Sequence, residues 1–197
     1  MRPDVKKDLS DSAYDFKRLS WPIVRNWLGG GELISVETVT DSKFTYQLDI
    51  LAGIDAWQIL QKKGIRGIAS RVQWVTKNKW DKKPWKSFTQ RASRTSGAKT
   101  ELYKRLNAIK TKEGWLYPEY VVHSYSTQRR TGDLLYICMV RIIGLYSYID
   151  YRIRNNSLEL LTNPVDGNLF TPIWVEDLQN FGIRVYEWLP KEQLNFI

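Results

Sequence analysis

A chain of 197 residues, 43% of them hydrophobic, is long enough to bury a core and short enough for one domain. Its net charge of +9 and its single cysteine, Cys138, exclude an intrachain disulfide framework and suit a reducing compartment. No apolar run approaches the eighteen or so residues a bilayer span needs, and MRPDVKKDLS lacks the apolar centre of a signal peptide, so the expectation is an intracellular, cytoplasmic protein without a membrane partner.

In chain order, residues 10–28 read as a helix that Pro22 kinks or divides, stopped by the glycines at 29–31. ELISVETVT alternates at strand period, Asp41 to Lys43 turn the chain, and FTYQLDIL is a second strand that GIDAWQILQ continues or restarts after Gly53. Lys62, Lys63 and Gly64 lead into the strand GIASRVQWV. KNKWDKKPWK reads as a basic, Trp-containing loop, and SFTQRA as a strand. A helix near 98–110 carries Leu102, Leu106 and Ile109 on one stripe. YVVHSYS and LLYICMVRI are strands, GLYSYIDYRI a short helix, and LFTPIWV, EDLQNF and IRVYEW read as strand, helix and strand. Helices interleaved with strands predict an α/β or α+β fold, a central mixed sheet flanked by helices. The expected organisation is a single domain over 1–197, with a core at about 10–142 and a C-terminal extension at about 143–197.

Charge is unevenly distributed. From Gln61 to Lys112 there are 16 basic and 2 acidic side chains, a local +14; from Asn155 to Ile197 there are 2 and 6, a local −4. A basic middle and an acidic end predict a localised polyanion-binding face. Arg91, Arg94 and Lys99 surround a Ser/Thr/Gly loop before a helix, with Lys104 one turn on, a pattern suited to backbone phosphates. Thr95, Ser96 and Ala98 are alternative cap positions. Trp80 and Trp85 among Lys82, Lys83 and other lysines suit a nucleic-acid-contacting loop, or a surface hairpin with two half-buried rings. Cys138 reads as a small buried hydrophobe.

Two apolar runs carry unexpected polar groups. LDILAGIDAWQI holds Asp49 and Asp55, which share a face with Gly53 if this is one strand. In IASRVQWV, Ala69, Arg71 and Gln73 share one face, and Ile68, Val72 and Trp74 the other. Carboxylates on a sheet need compensation, either a divalent cation or an ion pair with Arg71. Gly53, Gly67 and Ala69 leave room on the polar face.

Gly-Ile-Asp in a strand, a turn, then a strand ending in a polar-x-polar pair resembles the PD-(D/E)XK, or restriction-endonuclease-like, superfamily. The helix, three strands, helix, strand order over residues 10–126 is similar to that superfamily's αβββαβ core. The resemblance implies that Asp55 is the metal-binding aspartate, that Arg71 stands in the slot of the second acid and that Gln73 stands in the slot of the lysine. Arg71 departs from the pattern; Asp49 supplies the missing acid, or the site has lost its metal. Glu37 is a further ligand or a solvated strand residue. The implied activity is DNA endonuclease chemistry of restriction, homing, resolvase or mobile-element type. Mg2+ or Mn2+ would be its cofactor, Gln73 orienting water and Arg71 stabilising the phosphate. Such enzymes often act as homodimers. The alternatives are a non-catalytic nucleic-acid-binding protein on the same scaffold and a basic interaction protein in which Asp49, Asp55 and Arg71 form a structural network.

Overall fold

The computed structural model describes residues 5–36, 54–60, 64–111 and 118–190. It is an α+β fold of two sheets flanked by helices. Glu37, Asp49, the turn at 41–43 and the segment FTYQLDIL lie outside the described residues.

The N-terminal helical arm comprises α1 (Val5–Asp15), a π-helical turn (Phe16–Ser20) and α2 (Trp21–Trp27). Pro22 has no N–H, and its ring crowds the carbonyl four residues back, so the preceding turn widens. The Trp21 N–H accordingly donates to the Phe16 carbonyl, five residues back. The glycines then reverse the chain. Gly31, at φ +95°, lies so close to β2 that a Cβ there would meet the Ile59 carbonyl at 2.7 Å.

Strands β1 (Glu32–Ser35), β2 (Ala56–Leu60) and β3 (Gly64–Trp74) form an antiparallel meander. A parallel partner for β3 requires a long crossover. Here the crossover contains α3 (Lys77–Lys82), β4 (Ser87–Ser93) and α4 (Glu101–Thr111) before β5 (Tyr120–Ser126) returns beside β3. β6 (Leu134–Arg141) pairs antiparallel with β5; α5 (Ile142–Arg154), β7 (Leu161–Thr162), β8 (Leu169–Trp174), α6 (Val175–Asn180) and β9 (Val185–Trp188) follow. The six-stranded sheet runs β1-β2-β3-β5-β6-β9; the three-stranded sheet runs β4-β8-β7. The segment after residue 142 thus completes both sheets.

Side-chain alternation divides the core into two layers. Ile68, Val72, Val122, Ile137 and Met139 pack against Phe16, Val24 and Leu28 of the helical arm. Ala69, Val121, Tyr125, Tyr136, Cys138 and Val140 pack on the opposite face with Phe88, Leu102, Tyr146 and Ile149. The β5–β6 turn clamps the arm. Asp15 Oδ2 accepts from the Trp74 indole N–H and the Arg130 backbone N–H, each at 2.9 Å, while Arg129 and Arg130 pair with Asp11. Among the described residues, no helix is long and apolar enough to cross a membrane.

KNKWDKKPWK differs from the loop expected from sequence. It begins with α3, and Trp80 is buried, its ring centroid 5.0 Å from that of Tyr125 and 5.7 Å from that of Tyr136. Six residues are enough for one face of the turn to sink a ring among two tyrosines, so Trp80 is a core residue. Trp85 stays exposed.

Candidate functional site

Asp55 stands at the head of β2, not in mid-strand. Its N–H donates to the Ile68 carbonyl at 3.0 Å, its carbonyl accepts from Val36 N–H, and its Oδ2 accepts from Ser70 N–H at 2.5 Å. The Ala56–Ile68 pairing places Asp55 one step on, opposite Ala69. Arg71 then lies two residues further along β3, roughly 7 Å, and Gln73 four residues further, roughly 13 Å at normal strand rise. Gln73 instead stands beside Tyr125 in the β3–β5 register. The register therefore brings Arg71 toward Asp55 and leaves Gln73 apart, at variance with the water-orienting place the motif implied for it. The space expected at Gly67 is occupied: a Cβ there would meet Ile54 Cδ1 at 3.1 Å and Pro118 Cα at 3.3 Å.

The polar face of β3 looks onto α4 and β4. Arg71 Nη1 donates to the Thr89 carbonyl at 2.8 Å, and Arg71 Nη2 lies 3.3 Å from Glu101 Oε2. Arg105, one helical turn after Glu101, places Nη1 2.5 Å from Glu101 Oε1. Arg105 Nη1 also reaches Gln90 Oε1 at 3.5 Å, and the Tyr146 hydroxyl donates to that same oxygen at 2.9 Å. Thr89 N–H donates to His123 Nδ1 at 3.1 Å. Arg105, Gln90 and His123 are buried, whereas Arg71 and Glu101 keep about a quarter of their side-chain surface open.

Burial alone would raise the Glu101 carboxyl, but the Arg105 and Arg71 charges outweigh it and hold the group below the usual carboxylate range. Burial likewise works against the Arg105 cation, yet Glu101, Tyr146 and Asp55 raise its pKa on balance. Both carboxylates thus act on one arginine. Burial, aided by the nearby Arg71 charge, pushes His123 down to about 3, so the imidazole is neutral and structural. Burial raises the Cys138 thiol well above its ordinary value; with His123 neutral, the pair has neither thiolate nor imidazolium, and Cys138 serves as core.

Glu101, Arg105, Gln90 and Tyr146 are site residues that the sequence pattern did not single out. The i, i+4 spacing of Glu101 and Arg105 is the one local signal for them.

Arg91 adjoins this cluster, where the Arg71 and Glu101 charges act on it. Arg91 is exposed on β4; Arg94 and Lys99 are exposed in a tight hairpin closed by the Ser93–Lys99 bridge and by Gly97 N–H to the Arg94 carbonyl at 2.8 Å. The loop expected to cap the helix is therefore a hairpin, and α4 begins only at Glu101. Neither Thr95, Ser96 nor Ala98 caps it, because all three lie three or more residues before Glu101 and the cap position falls at Thr100. Lys104 is exposed on α4, and Lys82 and Lys83 at the end of α3. Among the described residues none of these six cations forms an ion pair, although Lys99 Nζ lies 5.4 Å from the Tyr103 ring centroid. No group of three or more metal-ligating side chains occurs among the described residues. Comparison with protein-family models, with curated proteins and with solved structures finds no match to this chain.

Proposed function

We propose that this protein is a DNA-directed endonuclease of restriction-endonuclease-like fold that hydrolyses phosphodiester bonds with a divalent metal. The observation that carries the reading is the Glu101 carboxylate held between Arg71 and Arg105 on the polar face of β3, where the Asp55 charge also acts on Arg105. Arg71 fills the motif position where an acid was expected, and Glu101 approaches it from α4. The β1–β2–β3 meander followed by a crossover helix and a parallel β5 also supports the reading.

The donor set suits Mg2+ or Mn2+ in type: two hard carboxylates, Asp55 and Glu101, the number Mg2+ usually takes from protein. Bound there, the ion would acidify a water and neutralise charge on a phosphate. Arg71, with its partly open guanidinium, would bind the scissile phosphate in bidentate fashion. Arg91, Arg94, Lys99 and Lys104 would hold the flanking backbone without reading sequence.

One observation favours the alternative of a non-catalytic nucleic-acid-binding protein. Both Glu101 oxygens already rest on guanidinium groups, so metal and arginine compete for one carboxylate. A plasmid-nicking assay with Mg2+ or Mn2+ separates the two. The nuclease reading expects metal-dependent nicking by the wild type, lost in Asp55→Asn with DNA binding retained. Wild-type binding without nicking under either metal supports the binding module and rejects the enzyme.

A further inference from the structure

The three-stranded sheet has one buried face and one partly open face. Residues directly opposite one another in an antiparallel pair point the same way. Phe88 with Ile173 and Gln90 with Thr171 face the core, and all four are buried. Ser87 with Trp174, Thr89 with Pro172 and Arg91 with Phe170 therefore share the other face, which is open along β8 and at Arg91 but closed at Ser87, buried with its hydroxyl 3.3 Å from that of Tyr125. Trp174 is 37% exposed, Arg91 is exposed, and Phe170 and Pro172 are half-buried. Phe170 and Trp174 are four residues apart, roughly 13 Å at strand rise, with the Pro172 ring between them. The middle of the strip adjoins the candidate site, because the Thr89 backbone carbonyl accepts from Arg71. It ends where Val175 N–H donates to the Lys86 carbonyl at 2.9 Å, beside the exposed Lys82, Lys83 and Trp85.

A strip of flat rings with cations at both ends fits one chemistry well. Bases stack on aromatic rings without regard to sequence, while cations track the backbone. A duplex hides its bases from such a surface, whereas an unpaired strand presents them. The acidic groups nearby are Glu101 and Asp166, which act on Arg91, and the exposed Glu176, two residues beyond Trp174. Basic residues outnumber them along the strip and its ends.

We propose that this open face of the β4–β8 sheet binds single-stranded DNA leading away from the Asp55–Glu101 site, with Phe170 and Trp174 as stacking platforms. The inference rests on the DNA-cleaving reading above and narrows its substrate to DNA carrying an unpaired segment, such as a flap, bubble or overhang.

The test measures fluorescence anisotropy of a labelled fifteen-residue oligothymidylate and of a blunt hairpin duplex at low salt. Loss of one stacked base weakens binding by about tenfold, so Phe170→Ala and Trp174→Ala should each do so for the oligothymidylate and leave the duplex nearly unchanged. Trp174→Phe should retain most of the affinity. Variants that melt like the wild type and bind the oligothymidylate equally well overturn the proposal. A wild type that binds the duplex but not the oligothymidylate overturns it while leaving the phosphate-binding reading intact, and one that binds neither overturns both. Photocrosslinking of an iodouridine-substituted strand to the wild type gives a check that needs no variant. Adducts within residues 169–174 support the proposal, and adducts confined elsewhere reject it.

Discussion

Glu101 Oε2 lies 3.3 Å from Arg71 Nη2, so the arginine on β3 is answered by an acid thirty residues further along the chain. Arg105 takes the other Glu101 oxygen, and one carboxylate holds two cations. Removing Glu101 therefore takes the carboxylate they share from Arg71 and Arg105 at once.

Glu101→Gln should lower unfolding free energy by roughly 2–3 kcal/mol. This is below the range for a fully buried pair, because Arg71 and Glu101 keep some solvent screening while Arg105 does not. Chemical denaturation at neutral pH reads the change, and a loss under about 0.5 kcal/mol shows that the network contributes little. Nicking, where the wild type has it, should be lost as well.

Asp15→Ala removes the acceptor of the Trp74 indole, the Arg130 backbone N–H and Arg18 at once, in a position without solvent access. The expected cost is about 2 kcal/mol, since the Trp74 indole and the Arg130 N–H lose a buried acceptor while the partly exposed Arg18 keeps the Gly132 carbonyl. Limited proteolysis should then cut first within residues 5–28. Wild-type protection of that segment contradicts the clamp.

His123 sets a pH dependence. Its folded pKa of about 3 lies below the ordinary 6.5, so the unfolded chain binds a proton that the folded chain refuses. The stabilisation is complete above pH 6.5 and declines as pH falls from 6.5 toward 3, at up to about 1.4 kcal/mol per unit. Between pH 6.5 and 5 ordinary carboxylates contribute little, so this window isolates the imidazole. His123→Gln, which keeps an acceptor for Thr89 N–H, should flatten the slope there. An unchanged slope assigns the effect to other groups.

Replacing Arg91, Arg94 and Lys99 by Ala should weaken duplex binding equally for unrelated sequences. The slope of log affinity against log salt should fall by about 2 to 3, because each lost phosphate contact releases fewer counterions. A triple variant with the wild-type slope removes the hairpin from the DNA-binding surface.

Several features were legible in the sequence because they are local. Period-two alternation assigned Ile68, Val72 and Trp74 to one layer and Ala69, Arg71 and Gln73 to the other, and the structure keeps that division. Pro22 marked the discontinuity in the helical arm, and the glycines marked its end, since backbone chemistry acts within one turn. The α+β class followed from the order of such segments. Other features depended on which segments meet. Trp80 read as a loop aromatic until α3 folded onto Tyr125 and Tyr136. Asp11 and Asp15 carried no signal in the sequence that the β5–β6 turn would bury them. Glu101 carried no signal of its own, because its place beside Arg71 exists only after β5 pairs in parallel with β3 and the crossover carries α4 over the sheet. Sequence fixes periods and breaks through short-range sterics. Partnership across thirty or a hundred residues is decided by sheet order and register, which only the folded chain possesses.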